Sequence, residues 1–230
     1  DKTKKVTAKK NAFPLKKDVY PMRLNKYIAH MGLASRREAD AIIERGEVYV
    51  NGKKAALGTK VLKSDSVTMG KSKELGKDIK KEANRYFAYY KPVGITTTRE
   101  PNTKDILAMT TFPVPVFPVG RLDKDSEGLI LMTNDGRVTE RLLHPRFYHE
   151  KEYRAVLNHE VNNTILRGLK SGLHVGGFRA RPAKVRKSAP DTIDIILTEG
   201  QNRQVRRMVK AFGYDVKQLL RFRIENIELN

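Results

Sequence analysis

The sequence predicts an α+β protein that combines a small αα-ββ module with a larger domain, in which helices flank a mixed, mostly antiparallel sheet. Three observations support this fold class. Two helix-like segments and a hairpin signal follow one another over residues 22–69. Residues 70–84 are rich in Lys, Glu and Gly without apolar periodicity, as in a linker. Over residues 85–230, strand-like segments outnumber helix-like segments.

The elements of the small module have recognisable start and stop signals. Apolar side chains recur at helical spacing over residues 24–31. Ser35 and Glu38, three residues apart, predict a capping box at the start of a second helix. The hairpin signal is the Asn51-Gly52 pair, which directly follows a predicted strand over residues 48–50, and a further strand is predicted over residues 61–69.

The larger domain is predicted from apolar runs bounded by turn residues and from segments with apolar side chains three or four residues apart. Strands are expected over residues 86–90, 95–98, 128–133, 152–157, 184–187, 193–198 and 216–224, and helices over residues 138–143, 161–169 and 202–212.

The chain is strongly basic. It has 46 Lys and Arg against 26 Asp and Glu, which gives a net charge of +20 at pH 7. This charge predicts a polyanionic partner, with nucleic-acid phosphate favoured over a membrane surface. Residues 1–21 are expected to form a flexible basic arm, because their Lys-rich start contains few apolar side chains. The sequence begins with Asp and stops at Asn230 without a polar tail, so we expect the natural chain to extend further.

Composition also excludes several classes of chemistry. The chain has no Cys, which excludes disulfides and thiol catalysis. No apolar run is long enough for a membrane span, so a soluble, cytoplasmic protein is expected. The five His are scattered, and Asn134 stands where a calcium loop starting at Asp123 would need a bidentate carboxylate. We therefore expect no metal.

One motif draws attention to a single carboxylate. Gly120-Arg121-Leu122-Asp123 stands shortly before an apolar run over residues 129–132, which a turn at residues 134–136 closes. Asp123 is therefore predicted at the edge of a buried strand, with Arg121 nearby. This pairing favours chemistry on nucleic acid, although by itself Asp123 is also explained as a turn residue.

Two later segments carry further candidates. Tyr153 lies in a strand-like alternation, where core packing is the ordinary explanation for a Tyr. The last predicted helix has an apolar stripe on one face and basic residues on another, which favours an anion-binding surface but also fits a solvated helix face. Its basic residues are Arg203, Arg206, Arg207 and Lys210.

The small module is also basic, and charge alone fits an ordinary solvated surface equally well. However, residues 23–28, 32–39 and 46–52, in this order, resemble the S4 RNA-binding domain, over residues 22–69. The resemblance implies that the module binds RNA. Its candidate contact residues are Arg23, Lys26, Arg36, Arg37 and Lys53.

Four segments of the whole chain resemble the RsuA-type ribosomal RNA pseudouridine synthases. They are Lys91-Pro92-Val93-Gly94, Gly120-Arg121-Leu122-Asp123, Lys151-Glu152-Tyr153 and residues 200–208. Within that family the resemblance is strongest to enzymes of the large ribosomal subunit. It implies that the protein isomerises uridine to pseudouridine in a 23S ribosomal RNA stem-loop and needs no cofactor. It also implies a monomer, with tRNA as a second candidate substrate.

The resemblance also implies roles for single residues. Asp123 is the nucleophile, acting on the ribose or on the base, with a glycal-type intermediate on the sugar preferred, and Arg206 pairs with it. Tyr153 stacks on the target base and takes the sugar proton. Arg121 fills the place that the extruded uridine leaves in the RNA. Gln201 stands where many relatives have Arg and receives no role.

Two alternatives remain open from the sequence. The first is an enzyme of the same family that modifies 16S ribosomal RNA of the small subunit. The second is a non-catalytic protein that uses the S4 module to bind ribosomal RNA.

Overall fold

The computed structural model describes residues 6–8, 18–70, 77–78, 83–98 and 104–229. Up to residue 91 the elements are β1 (Val6–Ala8), β2 (Met22–Arg23), α1 (Leu24–His30), α2 (Arg36–Glu44), β3 (Val48–Val50), β4 (Lys53–Lys54), β5 (Lys60–Val61), β6 (Val67–Met69), β7 (Lys77–Asp78) and β8 (Tyr86–Lys91). The later elements are α3 (Ile106–Met109), β9 (Phe117–Val119), β10 (Glu127–Thr133), α4 (Gly136–Leu143), a 3-10 helix (Pro145–Phe147), β11 (Lys151–Leu157), α5 (Asn163–Ser171), β12 (Leu173–Val175), β13 (Phe178–Ala180), β14 (Lys184–Ala189), β15 (Thr192–Leu197), α6 (Gln204–Lys210), β16 (Val216–Ile224) and β17 (Ile227–Leu229).

The small module packs α1 and α2 against its short strands around one apolar core. The predicted capping box at the start of α2 is confirmed, because the Ser35 N–H donates to Glu38 Oε2 at 2.8 Å and the Glu38 N–H donates to Ser35 Oγ at 3.3 Å. The buried core residues are Met22, Leu24, Ile28, Ala39, Ile43, Val48, Val61 and Val67.

The predicted hairpin is also confirmed, but the strand that follows it is not continuous. Asn51 and Gly52 have φ of 50° and 74°, as a tight turn between β3 and β4 requires. The single strand expected over residues 61–69 is split into β5 and β6. Asp65 explains the break, since its carboxylate accepts from the Leu62 N–H at 2.7 Å and from Asn51 Nδ2 at 3.0 Å.

The larger sheet has nine strands and confirms the α+β class. Six strands run in the order β1-β17-β16-β11-β15-β14, and all neighbours in this series are antiparallel. Strand β10 pairs with β16 in parallel and with β8 and β9 in antiparallel. The sheet is therefore mixed but mostly antiparallel over the described residues.

Some predictions for the larger domain were wrong in detail. The strand expected over residues 95–98 is absent from the described residues, and Thr96 forms a single bridge to Asp105 instead. Strands β9, β12, β13 and β17 were not predicted, because three residues are too few to show an alternation. The predicted helix over residues 202–212 spans only α6, so Arg203 precedes it.

Parts of the predicted arm and linker take part in sheets. Strand β1, inside the predicted arm, pairs with β17, and β7, inside the predicted linker, pairs with β6. Residues 1–5, 9–17, 71–76 and 79–82, which hold most of both segments, lie outside the described residues. Within the part of the chain that the structure describes, no helix is long and apolar enough to cross a membrane.

A close approach between β10 and β16 positions the loop that precedes β10. Gly128 has φ of 110°, and a Cβ at this position would lie 2.2 Å from the backbone oxygen of Arg221. Only glycine fits at such a distance from another backbone. The Asp123 loop, residues 120–126, is thereby held directly against β16.

Candidate active site

The Asp123 loop is fixed on both sides of the carboxylate. Thr97 Oγ1 donates to the Leu122 oxygen at 2.7 Å and accepts from the Leu122 N–H at 3.0 Å. After Asp123, the Gly94 N–H donates to the Lys124 oxygen at 2.7 Å, and the Ser126 N–H donates to the Asp123 oxygen at 3.1 Å. The Asp123 side chain itself is 30% exposed. A rigid backbone thus presents an accessible carboxylate.

Two arginines from the start of α6 bind the neighbouring Asp125 rather than Asp123. Arg203 makes a bidentate contact with the Asp125 carboxylate at 3.0 and 2.8 Å. Arg206 Nε lies 3.3 Å from Asp125 Oδ2, and Arg206 Nη2 donates to the Asp125 backbone oxygen at 2.7 Å. The hydrogen-bonded Arg203 guanidinium holds the pKa of the Asp125 carboxyl below its usual value.

The direct pairing of Arg206 with Asp123, expected from the family resemblance, is therefore corrected. The guanidinium that comes within ion-pair distance of Asp123 is that of Arg203, whose Nη1 lies 4.0 Å from Asp123 Oδ2. Arg203 can reach both carboxylates because it precedes α6 in a left-handed conformation, with φ of 49°, and so does not share the helix face of Arg206. Arg206 acts on the loop through Asp125 and Ser126.

Two buried cations lie on the strands next to the loop. Lys91, at the end of β8, is 0% exposed and donates to the Pro92 and Ile95 oxygens at 2.9 and 2.8 Å. Burial lowers the pKa of Lys91 to about 8, against the opposing effect of Asp123, Asp125 and Glu127. These charge interactions make Lys91 part of the site's electrostatics.

Arg221, on β16, is the second buried cation and was missed in the sequence. It is 3% exposed, and its Nε donates to the Leu129 oxygen at 2.7 Å. Its Nη1 donates to the Arg121 oxygen at 3.4 Å, at the start of the Asp123 loop, and its Nη2 has no hydrogen-bond partner among the described residues. The available signal was a charged residue inside an otherwise apolar run, Leu219-Leu220-Arg221-Phe222.

Tyr153, on β11, lies in the same row across the sheet as the residues that follow the Asp123 loop. It lies opposite Arg221 of β16, and Arg221 in turn lies opposite Gly128 of β10, two residues after the end of the Asp123 loop. The Tyr153 side chain is partly buried and packs against the core cluster that includes Val205 and Met208 of α6. The structure therefore places Tyr153 two strands from the one that follows the Asp123 loop, with its side chain against α6.

An open cleft of about 770 Å³ lies beside the Asp123 loop, within the size range of ligand pockets. Arg207 stands in its wall but is engaged with the β12–β13 hairpin, because it donates to the Val175 and Gly176 oxygens and lies 4.7 Å from the Phe178 ring centroid. Lys210 binds Asp215 at 2.8 Å on the surface. The residues that line the cleft include Asp125, His174, Arg203, Arg206, Arg207 and Lys210.

The remaining basic candidates lie on the surface. Arg121 is exposed, two residues before Asp123. In the small module all five predicted RNA contacts are exposed, and none forms an ion pair with a residue that the structure describes. They are Arg23, Lys26, Arg36, Arg37 and Lys53.

Sequence comparison shows the class of protein that this fold and site define. The family described as RNA pseudouridylate synthase matches residues 85–211, and the S4 domain matches residues 22–67. The chain belongs to the RNA pseudouridylate synthase family, which makes it an isomerase, and both resemblances predicted from the sequence are confirmed.

Individual relatives are similar along most of the chain. The chain is 42% identical over 210 residues to the dual-specificity RNA pseudouridine synthase RluF of Escherichia coli (strain K12). The matched region covers 91% of this chain and 72% of that protein. It is 38% identical over 210 residues to the ribosomal large subunit pseudouridine synthase B of Bacillus subtilis (strain 168), covering 86% and 84%. A crystal structure of a pseudouridylate synthase has a TM-score of 0.65 at 26% identity and covers 91% of each chain.

Proposed function

We propose that this protein isomerises uridine to pseudouridine in large-subunit ribosomal RNA, with Asp123 as the nucleophile. The observation that carries the proposal is the geometry of the Asp123 loop. Its backbone is hydrogen-bonded on both sides of Asp123, and the carboxylate remains accessible. A nucleophile fixed in this way loses little freedom when it reacts.

The reaction rearranges one nucleotide and needs no external atom. The bond between N1 and C1′ of the uridine breaks, and a bond between C5 and C1′ forms after the base turns. A proton leaves C5, and N1 ends with one, so the product is an isomer of the substrate. In the preferred route Asp123 acts at the sugar, where a proton is removed and later returned. A carboxylate can perform this role only in its ionised form.

Three other residues have proposed roles close to Asp123. Tyr153 stacks on the target base and accepts the sugar proton, since it lies beside the site on β11. Arg206 keeps the loop in place through the Asp125 oxygen, Ser126 and the Val216 oxygen. Arg203 holds Asp125 and supplies positive charge 4.0 Å from Asp123.

The target uridine must leave its stack before it can reach Asp123, at a cost of a few kcal/mol. Arg121 is exposed at the start of the loop and is proposed to fill the vacated place in the RNA. A planar guanidinium can stack and donate hydrogen bonds at the same time, which an ammonium cannot.

The small module is proposed to supply affinity through phosphate contacts. Its exposed cations are spread over both helices and the hairpin, as expected for a surface that recognises a folded RNA. We propose residues 22–69 as the RNA-binding domain, 70–84 as the linker and 85–230 as the catalytic domain of a monomer that acts in the cytoplasm. Arg203, Arg207 and Lys210 line the cleft and are proposed to contact RNA near the target.

The names of the relatives support the choice of substrate. One is called a ribosomal large subunit pseudouridine synthase, which favours 23S ribosomal RNA, and another is called dual-specificity, which favours a second RNA substrate such as tRNA. The test is to incubate the purified protein with 23S, 16S and tRNA transcripts and to map pseudouridine by carbodiimide labelling and reverse transcription. A new stop in 23S RNA is expected. Modification of 16S RNA alone would refute the proposed substrate, and no modification of any transcript would refute the activity.

A further inference from the structure

We infer that Tyr148 and Arg181 form a stacking site for an unpaired nucleobase of the RNA substrate, next to the Asp123 loop but separate from it. The inference rests on the proposed function only in taking RNA as the ligand. The stacking site recognises a nucleotide near the target uridine and not the target uridine itself.

The backbone and exposure of Tyr148 are both unusual. Tyr148 ends the 3-10 helix in a left-handed conformation, with φ of 53° and ψ of 32°. Bulky side chains rarely adopt this region, and residues that do so are concentrated at functional sites. The Tyr148 side chain is nevertheless 59% exposed, so core packing does not account for it.

Arg181 supports one face of the Tyr148 ring. Its guanidinium carbon lies 4.5 Å from the ring centroid. Arg181 is itself held in place, because its N–H donates to Glu199 Oε1 at 2.9 Å and its Nη1 donates to the Pro145 oxygen at 3.3 Å. With a fixed cation on one face, the exposed part of the ring is available to a base. Stacking on aromatic rings and on Arg is how proteins bind unpaired bases of RNA.

Further Arg side chains surround a second aromatic ring beside Tyr148. The guanidinium carbons of Arg141 and Arg146 lie 4.0 and 4.6 Å from the centroid of the Phe147 ring. Arg146 also forms an exposed ion pair with Glu140 at 3.2 Å. This alternation of aromatic and basic side chains, drawn from three parts of the chain, matches a surface for single-stranded nucleic acid.

The surface formed by Tyr148, Arg181 and the Phe147 ring is connected to the Asp123 loop at two points. Leu143, at the end of α4, covers Gly120, since a Cβ there would lie 2.9 Å from Leu143 Cδ2. Glu199, which holds Arg181, also accepts from Gln204 Nε2 at 2.7 Å, and Gln204 follows Arg203 at the start of α6. Tyr148 and Tyr153 are five positions apart in the sequence, so their α-carbons are at most about 18 Å apart, a span of a few nucleotides.

The absence of Trp from the sequence allows a direct test in the full chain. Tyr148→Trp introduces a single Trp that retains the ability to stack. Its fluorescence is expected to change when an RNA stem-loop containing the target uridine is added. Tyr86→Trp is the matched control, because Tyr86 is 56% exposed on β8 and its hydroxyl donates to Asp135, at the end of α4 opposite to Leu143. An equal response at both positions, or no response at position 148, would overturn the inference.

Binding measurements provide the second test. Tyr148→Leu is expected to weaken RNA binding on the order of 10-fold, because stacking of one base is lost. Tyr148→Phe keeps the ring and is expected to bind within about twofold of the wild type. Wild-type affinity of Tyr148→Leu would refute the stacking site. A variant that fails to fold leaves the decision to the Trp reporter.

Pseudouridine formation separates this inference from the proposed function. At subsaturating enzyme, Tyr148→Leu is expected to lower the single-turnover rate by the same factor as the RNA affinity, on the order of 10-fold, because Asp123 and its loop are untouched. A loss of rate at saturation with unchanged affinity would contradict a stacking role. If the wild type forms no pseudouridine in any transcript, the proposed function fails while the binding and fluorescence results still decide the inference.

Discussion

Arg206 and Asp125 are joined by two contacts, one to the carboxylate and one to the backbone. Arg206 Nε lies 3.3 Å from Asp125 Oδ2, and Nη2 donates to the Asp125 oxygen at 2.7 Å. Burial lowers the pKa of Arg206, but a guanidinium remains charged in proteins. Because Arg206 also donates to the Val216 oxygen, it connects the Asp123 loop to β16.

Arg206→Lys is expected to lower the single-turnover rate by roughly 10- to 100-fold, since one ammonium cannot replace hydrogen bonds that the planar guanidinium makes in separate directions. Arg203→Lys is expected to have a smaller effect, because it can keep one contact with Asp125. Lys210→Arg, which can retain the ion pair with Asp215, is the control. Equal rates for all three variants would mean that these residues form only a solvated basic stripe.

Asp123→Asn is expected to abolish pseudouridine formation and leave RNA affinity almost unchanged, because the amide keeps the shape of the side chain but is not a nucleophile. Asp125→Asn is the matched comparison two residues away. It weakens the contact with Arg203 and is expected to retain a measurable rate. Carbodiimide labelling of the RNA measures both. Activity of purified Asp123→Asn would remove Asp123 from the proposed mechanism.

Much of the fold could be predicted because its longer elements carry local signals. Strands β8, β10 and β16 and the capped helix α2 each have a pattern that repeats within one element. Short strands do not, and the pairing of β1 with β17 joins residues from opposite ends of the sequence. Contacts of this kind depend on tertiary structure, which no local pattern contains.

The candidate site was predictable to a similar extent. An acidic residue in a turn before an apolar run indicated the Asp123 loop. The partner of Arg206 could not be chosen, because Asp123 and Asp125 are only two residues apart and the loop conformation decides which one faces α6. The hydrogen bonds from Arg207 to the β12–β13 hairpin could not be predicted either, because that hairpin was itself not predicted.

Lys91 is expected to make stability rise with pH above about 8. Its pKa is about 8 in the folded chain and about 10.4 in an unfolded one. Between these values the unfolded chain holds the proton and the folded chain does not, so the free energy of unfolding increases by about 1.4 kcal/mol per pH unit.

Lys91→Met removes this titration. The difference in the free energy of unfolding between wild type and variant therefore reports on Lys91 alone, because other groups, such as Lys151, whose pKa burial also lowers, titrate in both proteins. Urea unfolding between pH 7.5 and 10 provides the measurement. If the difference in the free energy of unfolding between the two proteins does not vary with pH, the Lys91 pKa is not depressed.

Arg36→Gln combined with Arg37→Gln is expected to weaken RNA binding and to reduce the slope of log affinity against log salt by ~1.5, because two phosphate contacts are lost. Lys63→Gln is the control, since Lys63 is exposed in the same module but is not among its predicted contacts. Affinity is measured over a series of salt concentrations. An unchanged slope in the double variant would mean that this face of the module does not contact phosphate.

Gly128→Ala is expected to destabilise the protein by about 2–4 kcal/mol and to displace the Asp123 loop. The new Cβ would lie 2.2 Å from the Arg221 backbone oxygen and 2.8 Å from Leu220 Cδ1, at φ of 110°. The backbone oxygen cannot retreat without disturbing the pairing of β10 with β16. The rate of isomerisation is therefore expected to fall together with the stability.

Gly136→Ala provides the contrast, because a Cβ there meets no heavy atom within 4 Å and the position opens α4. It is expected to raise stability by about 0.5–1 kcal/mol and to leave activity unchanged, since Ala restricts the unfolded chain and favours the helix. Urea midpoints and single-turnover rates are measured for both variants. If Gly128→Ala is as stable as the wild type, β10 and β16 are further apart than the structure places them. The Asp123 loop would then be held by its hydrogen bonds to Thr97 and Gly94 and not by this close approach.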